Sequence, residues 1–270
     1  MTMKPPIGRD TRLCMSLSAR PGNFGSRFHN RLYELRGLDY VYKSFSTRDL
    51  PGAVGGIRAL AIRGCAISMP FKEAVIPLLD GLAGSAAAID SVNTIVNDDG
   101  VLTGYNTDYA AVVALIADID PATRFVLRGS GGMAKAVAAA LRDSGFRDGT
   151  IVARNAGAGQ ALAALYGFGW AAAVTEGAPL LINVTPIGMT GGNEDELPFS
   201  ADAIAACDIA FDVVQYPPET RFLQAARAAG KRVITGTEVA TLQALEQFIL
   251  YTGVRPTAAE VAQAAEFARG

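Results

Sequence analysis

From about residue 122 the chain alternates short, continuously apolar runs with alanine-rich stretches of helical period. The runs are 124–129 (RFVLRG), 150–154 (TIVAR), 180–185 (LLINVT), 209–214 (IAFDVV) and 231–235 (KRVIT). Unbroken apolarity predicts strands covered on both faces, and the helical stretches between them predict crossovers of a parallel sheet. Between the first two runs, GGMAKAVAAALRDSG repeats Ala, Val and Leu at helical spacing until Gly145 supplies a stop.

The first 108 residues are patterned differently. Apolar runs recur at LCMSL, YVYKSF, ALAIRGCAISM and SVNTIVNDDGVLTGYN, the last with Asp99-Gly100 between two strand-like halves, which predicts a hairpin. At the C-terminal end, EVATLQALEQFILYTG and TAAEVAQAAEFARG predict two helices with Pro256 near the break. A five-strand nucleotide-binding lobe has no need of them, so they are expected to pack on the first lobe. The expected division is 1–108 plus 238–270 against 109–237. With no low-complexity linker, structured elements should join the two.

Composition narrows the partners. Half of the 270 residues are apolar, and 24 basic against 26 acidic side chains leave a net charge of −2 with no long run of either sign. That argues against a nucleic-acid or membrane-surface partner and for a small molecule. A monomer or homodimer is expected. The first residues, MTMKPPIGRDTR, lack an apolar signal core, and no stretch approaches the roughly 18 apolar residues that span a bilayer. A cytoplasmic protein is expected. Cys14, Cys65 and Cys207 are odd in number and far apart, which predicts core packing rather than disulfides. A single histidine, His29, makes a transition-metal site unexpected, and leaves a structural or pocket-edge role for that ring.

Candidate chemistry sits at the ends of the apolar runs. Gly129, Gly131 and Gly132 lie between a predicted strand and a predicted helix, where backbone amides can approach a pyrophosphate; tight turns and methyltransferase loops look similar. The second run ends in Arg154 and Asn155 rather than in the acid that binds an adenosine ribose. A guanidinium there suits the 2′-phosphate of NADP, unless it is a solvated strand-end charge. In the first lobe Ser16, Ser18, Ser68, Lys72, Asn93, Asn106, Thr107 and Asp108 interrupt apolar segments near predicted strand ends. Lys72 follows an apolar run broken at Pro70, and an unpaired ammonium is costly to bury, so it either caps a surface helix or lines a pocket. Converging hydroxyls, amides, one ammonium and one carboxylate would recognise a small polyhydroxylated acid. Turn and cap roles are the alternative, with Asp108 as a helix N-cap the best case.

Eight segments, SLS, ISMPFKEAVIPLLD, SVNTIV, GYNTDY, GSGGMAKA, INVTPIGM, DVV with PPETRFL, and LQALEQF, occur in the order of the motifs of the shikimate dehydrogenase family. The chain resembles that family over nearly its whole length, most closely its shikimate dehydrogenase-like branch. The resemblance implies an α/β fold of two lobes, an α/β substrate lobe and a Rossmann-type nucleotide lobe with a doubly wound parallel sheet, with chemistry in the cleft. It casts Lys72 and Asp108 as the catalytic pair and Ser16, Ser18, Ser68, Asn93 and Gln243 as substrate ligands. Gly129, Ser130, Gly131, Gly132, Met133 and Ala134 would hold the pyrophosphate, Arg154 the adenosine end, and Thr185, Met189 and Gly236 the nicotinamide side. The implied reaction is NADP-linked interconversion of shikimate and 3-dehydroshikimate in aromatic amino acid biosynthesis.

Three features depart from the family pattern. The link ARPGNFGSRF between Ser18 and His29 is long, and Gln215 followed by Tyr216 stands where the family has a tyrosine. Arg154 is the one arginine retained in the NADP patch, which leaves NAD as an alternative cofactor. Quinate or another cyclic hydroxy acid is the rival substrate. A non-catalytic dinucleotide-binding protein and a folate-processing dehydrogenase are the rival functions.

Overall fold

The computed structural model describes residues 3–270, and the chain divides into two units: one runs up to Thr107 and takes in Thr241–Gly270, the other is Asp108–Ala240. The first unit begins β1 (Arg12–Ser18), α1 (Phe24–Arg36), β2 (Tyr40–Ser46), α2 (Leu50–Ala59), β3 (Gly64–Ile67) and α3 (Phe71–Ala74). It continues β4 (Gly81–Leu82), α4 (Gly84–Ala87), β5 (Thr94–Asp98) and β6 (Val101–Tyr105). Its six strands are ordered β2-β1-β3-β5-β6-β4, with β5 antiparallel to both neighbours. Asp99 and Gly100, at φ 50° and 92°, make the two-residue turn between β5 and β6 that their chemistry predicts. The long run ALAIRGCAISM is not one strand. Its start completes α2 and turns, and the strand is confined to Gly64–Ile67.

Both faces of this sheet are covered, and alternation along each strand divides the core. Met15, Leu17, Cys65, Ile67 and Ile95 pack with Leu50, Val54 and Ile57 of α2 on one face. Cys14 and Val96 turn to the other, among Phe28, Leu32 and Tyr33 of α1 and the C-terminal helices. Burying such side chains stabilises the unit by about 1.5–3 kcal/mol each.

The second unit contains most of α5 (Thr107–Ile116), then β7 (Phe125–Arg128), α6 (Gly132–Asp143), β8 (Gly149–Val152), α7 (Ala156–Tyr166) and β9 (Gly169–Ala171). There follow β10 (Leu180–Asn183), α8 (Ala201–Ala206), β11 (Ile209–Asp212), α9 (Arg221–Ala228) and β12 (Arg232–Ile234). Its strands are all parallel in the order β12-β11-β10-β7-β8-β9, the doubly wound arrangement in which chain direction across the sheet reverses between β7 and β10. The expected five strands are thus six. The extra one, β9, is an edge strand of three residues, too short to leave a periodic signal.

The chain ends with α10 (Gly236–Thr252) and α11 (Ala258–Arg269), separated around Pro256. Thr257 and Glu260 form a reciprocal capping box at the start of α11, which packs against α1. Arg63 fastens the end of α10, donating from Nε to the Tyr251 carbonyl (2.9 Å) and from Nη2 to that of Leu250 (3.2 Å), while Nη1 reaches the Asn97 carbonyl (2.8 Å). The division between the units falls inside α5 and α10. Among the described residues no helix is long and apolar enough to cross a membrane.

Candidate active site

Strand direction alone gathers the polar residues of the first unit at one sheet edge. β1 ends at Ser18 and β3 runs into Ser68, each one residue beyond the Leu17–Ile67 pair. Because β5 is antiparallel to β3, its start, Asn93-Thr94, lies at the same edge, and so does the end of β6, which leads into Asn106, Thr107 and Asp108. With Cys14 on the face covered by α1, α10 and α11, the period of two puts Ser16 and Ser18 on that face also. Ser16 is half-buried, Ser18 buried and Ser68 exposed.

A buried hydrogen-bond cluster forms the floor of this edge. The Asn93 side-chain oxygen accepts from the Thr94 hydroxyl (2.8 Å), from the Thr107 backbone N–H (2.8 Å) and from the Thr107 hydroxyl (3.2 Å). Gln247 of α10 donates from Nε2 to the Thr94 hydroxyl oxygen (3.0 Å) and, more weakly, to the Asn93 carbonyl (3.4 Å). Asn106 Nδ2 donates to the Ser91 carbonyl (3.0 Å). Two buried groups stand out: Asn93 Nδ2 and Ser18 Oγ have no hydrogen-bond partner among the described residues. Leaving a buried polar group unsatisfied costs about 1–3 kcal/mol, so both are suited to meeting a ligand.

The backbone at Lys72 and at Thr107 is tied to this cluster. The Lys72 carbonyl accepts from the Val92 N–H (2.9 Å), next to Asn93, and Asn93 holds the N–H of Thr107, the residue before Asp108. The half-buried lysine lies in the short helix α3, while the buried carboxylate is in the first turn of α5 and 5% exposed. Each has further interactions of its own. Gln243 is half-buried in α10, four residues and so one turn before Gln247 on the same helix face.

His29 is fully buried inside α1 and stacks on Tyr42 with ring centroids 4.4 Å apart. Burial pushes it down to about 3, against a smaller opposing pull from Gln247, so the ring is neutral. Neither ring nitrogen reaches a partner at hydrogen-bonding distance and angle among the described residues. The ring belongs to the aromatic core. Cys14, Cys65 and Cys207 are all free and buried, and burial pushes the Cys14 thiol up to about 12.

In the second unit the predicted cofactor residues follow the carboxyl ends of parallel strands. Gly129 has φ 128°, and a Cβ there would come within 2.7 Å of Val184 Cγ2 and 3.3 Å of Thr185 Cγ2. Loops after β7 and β10 therefore touch at the reversal point of the sheet, where this architecture binds dinucleotides. Gly131 and Gly132 are exposed, and nothing lies within 4 Å of where their Cβ atoms would be. Gly131 caps α6 without a side chain, leaving the first amides of a 12-residue helix available to an anion. Ser130 and Met133 are half-buried, and Ala134 is buried under the helix. Among the described residues, this cradle fits a dinucleotide.

Arg154 is exposed past the end of β8. A second guanidinium, Arg128, ends β7 and pairs in register with Val152, two residues before Arg154. Burial first, and the Arg154 cation second, pull Arg128 below its usual range. Thr185 is positioned by Asn183, whose Oδ1 accepts from the Thr185 hydroxyl (2.6 Å) and N–H (3.1 Å). Asn183 in turn donates to Asp212 Oδ1 (3.0 Å), and Asp212 Oδ2 accepts from the Thr220 hydroxyl (2.7 Å). Burial raises the Asp212 carboxyl to about 6 despite these bonds. Met189 is exposed, and Gly236 is buried where a Cβ would meet the Val214 carbonyl oxygen at 2.2 Å.

Sequence reasoning passed over Gln247, Thr94, Asn183, Asp212 and Arg128. Asn183 and Asp212 had a visible signal, each a polar residue interrupting an apolar run. Gln247 could have been found from its four-residue spacing to Gln243. Arg128 had none beyond its place before the glycines.

Comparison with known proteins gives a consistent result. Residues 24–95 match the family model for the shikimate dehydrogenase substrate binding domain. A shikimate dehydrogenase-like protein of Haemophilus influenzae is 53% identical over 97% of this chain and 98% of its own. A shikimate dehydrogenase (NADP(+)) of Moorella thermoacetica is 38% identical, covering 83% of this chain and 82% of its own. The solved structure of a shikimate 5-dehydrogenase of Thermus thermophilus, in complex with NADP(H) and shikimate, superposes with a TM-score of 0.86 at 30% identity over 95% of this chain and 99% of the other.

Proposed function

Because the chain belongs to the shikimate dehydrogenase family, we propose that it is an NADP-dependent dehydrogenase interconverting shikimate and 3-dehydroshikimate, with Lys72 and Asp108 handling the proton. One observation carries this reading. Two buried polar groups without a partner among the described residues, Ser18 Oγ and Asn93 Nδ2, lie at the sheet edge whose hydrogen bonds also fasten the backbone at Lys72 and at Thr107, just before Asp108.

NADP, when bound, supplies the hydride acceptor for oxidation of the ring carbinol. The Lys72–Asp108 pair takes the proton from the hydroxyl oxygen and returns it in the reverse direction. Asn93 donates from Nδ2 to a substrate oxygen. Ser16, Ser18, Ser68 and Gln243 hold the carboxylate and remaining hydroxyls. The backbone from Gly129 to Ala134 binds the pyrophosphate, Arg154 favours the 2′-phosphate, and Thr185, Met189 and Gly236 border the nicotinamide.

The test is a spectrophotometric screen of shikimate and quinate, each with NADP and with NAD. Reduction of NADP by shikimate is expected, and Lys72→Ala and Asp108→Asn are expected to lower kcat by about 10²–10⁴ with NADP binding retained. Near-wild-type turnover by Lys72→Ala would refute the pair.

A further inference from the structure

The amide of Asn93 is held in orientation by its neighbours Thr94 and Thr107. Its oxygen is occupied by the Thr94 hydroxyl and by both donors of Thr107. Those three bonds leave Nδ2 facing away from them, fully buried and without a partner among the described residues. So held, Asn93 can only donate, and it selects an oxygen acceptor on its ligand. The Thr94 hydroxyl has a single hydrogen and could point it elsewhere. Gln247 closes one alternative by donating from Nε2 to the same oxygen at 3.0 Å, and the Thr107 hydroxyl, at 3.5 Å, is a more distant acceptor than Asn93 Oδ1 at 2.8 Å, which takes the Thr94 hydrogen. Donation therefore runs in one direction, from Gln247 to Thr94 to Asn93, through side chains that are at most 4% exposed.

We propose that Gln247 and Thr94 are positioning residues that fix the Asn93 amide as a donor to the hydroxy-acid substrate, and that they set affinity for that acid without touching it. This rests on the functional reading above, which makes Asn93 a substrate ligand. α10 contributes twice to substrate recognition, directly through Gln243 and one turn later through Gln247, which acts from behind the sheet edge.

The experiment uses the full chain and three variants, Thr94→Val, Thr94→Ser and Gln247→Met. Shikimate binding is measured by isothermal titration calorimetry, and KM for shikimate and for NADP by steady-state kinetics. Thr94→Val keeps the shape of the side chain and removes the hydroxyl. It is expected to weaken shikimate binding and raise its KM about tenfold, with KM for NADP within about twofold of wild type. Gln247→Met should follow in the same direction, and Thr94→Ser should restore binding to within about threefold. A purely structural defect would move both KM values or lower the unfolding temperature of Thr94→Ser as far as that of Thr94→Val. That outcome, unchanged shikimate affinity in Thr94→Val, or no shikimate binding by the wild type overturns the positioning role. If the wild type binds shikimate without turnover, the dehydrogenase reading fails alone, and the calorimetric comparison still decides between the variants.

Discussion

Replacing Asp212 by asparagine is expected to flatten the dependence of stability on pH between about 4 and 6 and to make the protein more stable at neutral pH. Burial raises this carboxyl from 3.8 to about 6 in the folded chain, although Thr220, Val214 and Asn183 all donate to it. Over that window the folded state holds a proton that the unfolded state has released. The stabilisation is therefore complete below 3.8 and lost as pH rises through about 6. A difference of about two pK units corresponds to about 3 kcal/mol. Asparagine keeps the shape and an oxygen for Val214 and Asn183, and it has no charge to desolvate. Urea unfolding followed by circular dichroism, at several pH values across the window, measures the difference between the two proteins. Asp80 and Asp118, lowered by hydrogen bonds from Arg58 and Arg232, contribute the opposite slope but do so equally in both. A wild-type-minus-variant difference that stays constant from pH 4 to 7 would refute the claim that Asp212 carries a burial cost.

Two further outcomes concern the cofactor side. Arg154→Ala should reduce kcat/KM for NADP by about tenfold or more while changing that for NAD less than about threefold, read as a ratio in one assay; equal losses with both would remove the 2′-phosphate from its role. Gly129→Ala forces a Cβ against Val184 at φ 128° and should lower stability by about 1–3 kcal/mol, measured by denaturant unfolding, with NADP binding weakened.

The nucleotide-binding half was legible because its signals are local. Continuous apolar runs, helical alanine stretches and the Gly129–Gly132 turn each report on a few neighbouring residues. The edge strand β9 was not, since Gly169–Ala171 is strand only by virtue of its pairing with β8. In the first unit the Asp99-Gly100 hairpin could be read, whereas the end of α2 merged with β3 into a single apolar stretch because helix and strand share a vocabulary of Ala, Ile and Leu. The ligand candidates Ser18, Asn93 and Lys72 stood out as polar interruptions. Their supports did not. Thr94 is an ordinary strand residue in sequence, and its bond to Gln247 joins positions 153 residues apart, a separation that no local pattern records.

The interrupted layout of the first unit bears on how the protein emerges from the ribosome. Phe28, Leu32 and Tyr33 are made early, yet neighbours that cover them, Phe248, Tyr251 and Ala264, follow about 200 residues later. During translation that half-finished core has to wait, while Asp108–Ala240, an uninterrupted stretch, has all its own strands before Phe248 and Tyr251 are made. Nascent chains halted before α10 would expose an aromatic surface to chaperones, and emergence of α10 and α11 closes it.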